Sequence, residues 1–179
     1  MQQLLRLFID IAFLKKGPQD VPYSPLLFAV LFILGFMLEL LAIRLPDLEG
    51  KALSPFAALR FVVIANAVNI AAIYLIFLLQ GQRRRFLQSM TTLTGLDLIL
   101  LVLRLPIIFL MFIAARHESH GLLTLLFYAQ MILLAWLLMI YMHTFRIALE
   151  IPGLYAGALS AAIFALNLLL NYLLLSGTT

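Results

Sequence analysis

Four ionisable residues stand inside long apolar runs: Glu39, Arg60, Asp97 and Arg104. Charge placed within a bilayer costs about 3 kcal/mol or more, so each needs a physical reason. Glu39 lies six residues before Leu45 at the end of one run, and Arg60 lies five residues past Pro55 at the start of the next. At 1.5 Å per residue both sit roughly 8–9 Å deep from the same face. The spacing predicts an ion pair, Glu39 with Arg60, clamping two antiparallel helices. An ion or proton site on Glu39, and an Arg60 that snorkels alone, are the other readings.

Arg104 sits near the middle of the third run, two residues before Pro106. Pro106 removes the hydrogen bond to the Val102 carbonyl and predicts a kink. That freed carbonyl, together with Asn66 and Asn69, is the expected partner set of the guanidinium. Asn66 and Asn69 are three residues apart and share one helical face. The group reads either as a buried structural network or as a polar site for a lipid headgroup or small anion. In Thr94-Gly95-Leu96-Asp97, Thr94 reads as an N-cap with Asp97 serving the free amides of the third span.

Other chemistry is poorly provided for. His117, Glu118 and His120 share one short loop and offer at most three metal ligands, with His143 near the opposite face, so a wet loop and no metal is the reading. No Ser/His/Asp grouping falls at matching depth, and neither a zinc-protease HExxH nor a Gly-rich phosphate loop is present. No catalytic residue and no cofactor is expected, and the absence of Cys excludes a thiolate nucleophile.

The elements that must position these residues follow from composition. The chain has 179 residues, 65% hydrophobic and 11% charged, with a mean hydropathy of +1.12. A soluble domain carries about 25% charge. A soluble enzyme, a nucleic-acid binder and a disordered tail are excluded, and the fold class is an all-α integral membrane protein. The net charge of +4 is a topology signal here and implies no nucleic acid. A transmembrane helix needs about 20 apolar residues. Five stretches qualify: Pro25 to Ile43, Pro55 to Leu79, Leu96 to Ala115, Leu122 to Phe145 and Pro152 to Leu175. Short linkers make consecutive spans antiparallel neighbours in one domain, residues 25–179.

Residues 1–24 precede it. Gln2, Gln3, Arg6 and Asp10 fall on one helical face, opposite Leu4, Leu7, Phe8, Ile11 and Leu14. That is an amphipathic helix for the membrane interface, a surface anchor or else a partner-docking helix, followed by a Gly17-to-Pro25 linker. Arg6 and Asp10 break any signal-peptide core. Basic residues set the topology: Arg6, Lys15, Lys16, Arg83, Arg84, Arg85 and Arg146 lie on one side. The other side has Arg44, Lys51 and Arg116, diluted by Asp47, Glu49 and Glu118. The N-terminus is therefore expected in the cytoplasm and the C-terminus outside. Arg83, Arg84 and Arg85 have contact with anionic headgroups as a second expected role.

Gly153, Gly157 and Ala161 repeat every four residues in the last span, flanked by Ala158, Ala162 and Ala165. Small residues admit close helix approach, so this is the expected packing face, within the bundle or in a homodimer. Asn167 and Asn171 are expected to hydrogen-bond between helices.

Several segments carry a resemblance. Ala135-Trp136-Leu137, the turn Glu150-Ile151-Pro152-Gly153 and the Ala-rich run to Leu175 resemble the Yip family (Ypt/Rab-interacting proteins), as does Gly81-Gln82-Arg83-Arg84-Arg85-Phe86-Leu87-Gln88. The resemblance spreads over most of the chain, while the acidic-Leu-Tyr-Gly-Pro motif of eukaryotic members is absent. It implies a five-span scaffold or adaptor without catalysis, in a bacterial inner membrane, acting through the bilayer and a membrane-protein partner or a second copy. The alternative is a small transporter, channel or lipid-binding protein built around Arg104, Asn66, Asn69 and Glu39. An intramembrane enzyme ranks last.

Overall fold

Serine and proline start two of the long helices. The Ser24 and Ser54 hydroxyls each accept a backbone N–H, from Leu27 and Ala57 at 3.2 Å, and Pro25 and Pro55 follow as first helical residues. The computed structural model describes residues 2–44 and 54–176. Over them the chain is helical and contains no strand: α1 (Gln2–Ala12), α2 (Pro25–Arg44), α3 (Pro55–Leu79), α4 (Phe86–Arg116), α5 (His120–Leu149) and α6 (Gly153–Ser176). The five helices α2 to α6 are long and apolar enough to cross a membrane. Asp47, Glu49 and Lys51 lie outside the described residues, as do residues 177–179.

The long helices form a closed ring. Going round it, α2 packs on α4, α4 on α5, α5 on α6, α6 on α3, and α3 returns to α2. This corrects the expectation that all consecutive spans are neighbours. Helices α3 and α4 meet at the turn that joins them, where the Phe77 and Phe86 rings lie 6.0 Å apart, but α2 takes the main place beside α4. The outward faces are apolar along their length: Val30, Ile33 and Leu34 on α2, Val102 and Phe109 on α4, and Leu169 on α6 are exposed.

Helix α4 starts ten residues before the expected Leu96. The hydroxyls of Thr91 and Thr92 donate to the carbonyls of Leu87 and Gln88 at 2.7 and 2.8 Å. These residues therefore satisfy their polar atoms without leaving the helix. Gly95 and Asp97 consequently sit inside α4, not at its start. The helix also runs on through Pro106.

Gly95 is used as a seat. A Cβ there would come within 2.6 Å of the Phe8 ring, so its absence lets α1 lie directly on α4. Phe8, Ile11 and Ala12 are buried there with Leu96, Leu100 and Ile140. The amphipathic face of α1 thus packs on the bundle, while Leu5 and Ile9 remain exposed. Side chains of the bundle hold the strap that follows α1. Trp136 Nε1 donates to the Ala12 carbonyl at 2.9 Å, His143 Nε2 to that of Lys16 at 3.0 Å, and Gln88 Nε2 to that of Val21 at 3.0 Å. We expect Gly95→Val to displace α1 and speed tryptic cleavage after Lys15 and Lys16. Trp136→Phe, which loses one hydrogen bond of about 1 kcal/mol, should do so by only a few fold. Unchanged cleavage in both variants would show that neither contact holds α1.

Candidate functional site

The ring surrounds a half-open cavity of about 570 Å³ lined by all five long helices. Its position follows from where the apolar core lies. Large buried side chains gather at the end of the bundle that carries α1, where Ile73, Phe77, Met90, Leu93, Tyr141 and Phe145 pack together. Met90, Leu93 and Ile73 form the floor, and the lining continues past mid-bundle to Ile43, Ile108 and Asn171 near the far end.

Polar side chains converge on this space from every wall. Glu39 comes from α2, Asn66 and Asn69 from α3, Asp97 and Arg104 from α4, Tyr141 from α5, and Ser160 and Asn167 from α6. Asn66 Nδ2 donates to Glu39 Oε2 at 2.7 Å and also to its own helix at the Val62 carbonyl, 3.0 Å away. The Tyr141 hydroxyl donates to Asp97 Oδ2 at 2.8 Å. Arg104 Nε donates to Gln130 Oε1 at 3.0 Å. Asn167 Nδ2 makes a long contact of 3.5 Å with Asn69 Oδ1.

The expected residues therefore meet in one cavity with different partners. Glu39 is held by Asn66, while Arg60 is exposed; no ion pair among the described residues joins them. Five residues from Pro55, Arg60 projects from an outward face of α3, whereas Asn66 faces inward. Arg104 finds Gln130 across the α4–α5 seam instead of Asn66, Asn69 or the Val102 carbonyl. Asp97 serves Tyr141, not a helix terminus. Asn171 Nδ2 bonds back to the Asn167 carbonyl at 2.7 Å, within α6.

Gln130, Tyr141 and Ser160 escaped sequence reasoning. Gln130 carried a usable signal, being an amide within an apolar run. Tyr141 and Ser160 carried little, because either residue is common on a lipid-facing or packing surface.

The small-residue line of α6 is displaced from the one expected. Ala156, Ser160 and Ile163 are its buried positions, whereas Ala161 is exposed and Gly153 faces open space. Gly157 does pack on α5, where an added Cβ would lie 3.4 Å from Met142 Sδ. Among the three arginines, Arg83 and Arg84 are exposed, while the half-exposed Arg85 bonds to the end of α5. Its guanidinium reaches the Ile147 and Ala148 carbonyls at 3.4 and 3.3 Å and Glu150 at 2.6 Å. It thus covers the C-terminus of α5, where Glu150 adopts a left-handed φ of 56°.

Comparison with family models, curated proteins and solved structures finds no match for the chain. The site must be understood from its own chemistry. Among the described residues no group of three or more His, Cys, Asp or Glu is placed to hold a metal ion. The arrangement sets carboxylates, a guanidinium, amides and hydroxyls on apolar walls.

The Glu39–Asn66 pair makes a stability prediction. Removing one partner strands a polar group, whereas replacing both with apolar residues can be almost neutral. Asn66→Leu should destabilise the bundle by about 1–3 kcal/mol, and adding Glu39→Leu should recover most of the loss. Unfolding of reconstituted protein by denaturant reads both. Additive losses would show that the pair is not coupled.

Proposed function

We propose that the chain is an integral membrane protein that binds a small polar or amphipathic ligand in its central cavity and acts as a small transporter or lipid-binding protein. One observation carries this reading: the cavity draws polar side chains from all five long helices. A bundle meant only to pack would bury apolar contacts there, since each polar group within a span costs free energy. The volume lies within the range of small-molecule sites, about 300–1,000 Å³.

Placement in a bilayer is supported by the outer surface. Tyr23 and Tyr155 are exposed at the α1 end, and Tyr128 and Tyr172 are exposed toward the far end. Tyrosines favour the two membrane interfaces. Tyr155 and Tyr172 are separated along α6 by about 26 Å at 1.5 Å per residue, close to the hydrocarbon thickness of about 30 Å. In this placement α1 lies at the cytoplasmic surface, its exposed Leu5 and Ile9 reach the lipid, and Arg83 and Arg84 face the headgroups of a bacterial inner membrane. The C-terminus is then outside.

A second reading, a Yip-like scaffold or adaptor, is favoured by a different feature. Ala158, Ala161, Ala162 and Ala165 are all exposed on α6 and offer a close-approach face to a membrane-protein partner or a second copy.

The absence of cysteine makes single-cysteine labelling direct, because only a hydrated thiol ionises and reacts rapidly. In intact cells an impermeant maleimide should label His117→Cys and spare Arg84→Cys; the reverse pattern would invert the topology. In membranes, a small charged methanethiosulfonate should modify Asn69→Cys and Leu101→Cys at least about tenfold faster than the outward Ala161→Cys. Equal, slow reaction at all three would mean a dry interior and would leave the scaffold reading as the better one.

A further inference from the structure

Charges of both signs line one cavity, and none of them pairs with another. Glu39, Asp97 and Arg104 all face it, yet among the described residues the ion pairs are Lys16 with Asp10 and Arg85 with Glu150. Each cavity charge is instead held by a neutral residue: Glu39 by Asn66, Asp97 by Tyr141, Arg104 by Gln130. These bonds use one carboxylate oxygen of each acid and the Nε of the arginine. No hydrogen bond among the described residues takes the terminal nitrogens of Arg104, the main source of its bidentate recognition of anions.

Asp97 and Arg104 are seven residues apart on α4. Seven residues make nearly two turns, so the two share a face and stand about 10 Å apart along the axis. No ion pair joins their charged ends, and the cavity that both line gives a third group access to them. A simple anion on Arg104 would meet two carboxylates, and a simple cation beside the carboxylates would meet the guanidinium. A molecule with both charges satisfies all three at once.

Resting on the ligand-binding reading above, we propose that the cavity holds a small zwitterion with an apolar substituent, its anionic group on the terminal nitrogens of Arg104 and its ammonium between Glu39 and Asp97. Phe32, Phe36 and Phe61 on the walls supply the surface for the apolar part. A free amino acid with a hydrocarbon side chain and the headgroup of an ethanolamine phospholipid share this chemistry.

The test uses the full chain in nanodiscs of phosphatidylglycerol with tritiated leucine. Leucine amide, which lacks the carboxylate, and N-acetyl-leucine, which lacks the ammonium, serve as competitors. In a second arm, nanodiscs contain phosphatidylethanolamine, and lipid retained by the protein is measured by native mass spectrometry. Saturable binding of leucine, or selective retention of phosphatidylethanolamine, is the expected result and identifies the source. Single-charge analogues should compete at least about tenfold more weakly, and Arg104→Gln and Glu39→Gln should each weaken binding by about tenfold or more. Arg104→Lys, which keeps the charge, should retain part of the affinity and guards against a variant that simply fails to fold. Equal competition by leucine amide or N-acetyl-leucine would overturn the zwitterion while leaving the cavity a binding site. Failure of leucine and of phosphatidylethanolamine alike, with folded protein, would overturn both readings.

Discussion

A long helix with an apolar exterior gathers most of its mid-length polar side chains on its inward face. Among apolar outer side chains an amide or carboxyl has no protein partner, whereas on the inward face it meets the polar groups of the other helices. The ring of α2 to α6 obeys this constraint at each wall. Glu39, Asn66, Asn69, Asp97, Arg104, Tyr141, Ser160 and Asn167 all face the same interior space, and the packing follows from it. The helices cannot close completely around so many polar groups, so they surround a cavity. Closure is achieved where side chains are apolar, at the α1 end, by Phe77, Phe145, Leu93 and their neighbours.

That asymmetry explains the place of α1. A short amphipathic helix gains little stability alone, and here it is bound by shape and by side-chain donors. Gly95 removes the one Cβ that would keep Phe8 away from α4. Trp136, His143 and Gln88 each give a hydrogen to a carbonyl of the strap. The carbonyls of an irregular segment need such donors. The result is a second apolar layer beside the floor, with Ile11 and Val21 almost completely enclosed.

The sequence revealed the helices better than their partners. Pro25 and Pro55 mark helix starts because a proline ring suits a first turn, and long apolar runs mark the spans. The start of α4 was hidden, since Thr94-Gly95-Leu96-Asp97 reads locally as a boundary. The helix runs through it because the Thr91 and Thr92 hydroxyls just upstream bond back one turn and because Gly95 receives Phe8 from 87 residues earlier in the chain. The site residues Glu39, Asn66, Asn69 and Arg104 were legible as polar groups in apolar surroundings. Their pairing was not, because it depends on the order of helices around the ring. With α2 set between α3 and α4, Glu39 meets Asn66 while Arg60 looks outward, and Arg104 is carried to the α5 seam and Gln130.

The neutral partners have a consequence of their own. A carboxylate paired with a guanidinium is neutralised within the protein and has little to offer a ligand. A carboxylate held by an asparagine or a tyrosine is fixed in position by a partner that carries no charge. Asn66 is itself anchored to the Val62 carbonyl, so Glu39 is oriented by a group that cannot easily swing away. Arg104, fixed through Nε by Gln130, points its remaining donors from a restrained stem. Pre-orientation of this kind lowers the entropy lost on binding. A bundle stabilised by ion pairs would gain rigidity by cancelling its charges; here neutral residues position Glu39, Asp97 and Arg104, and no ion pair among the described residues joins them.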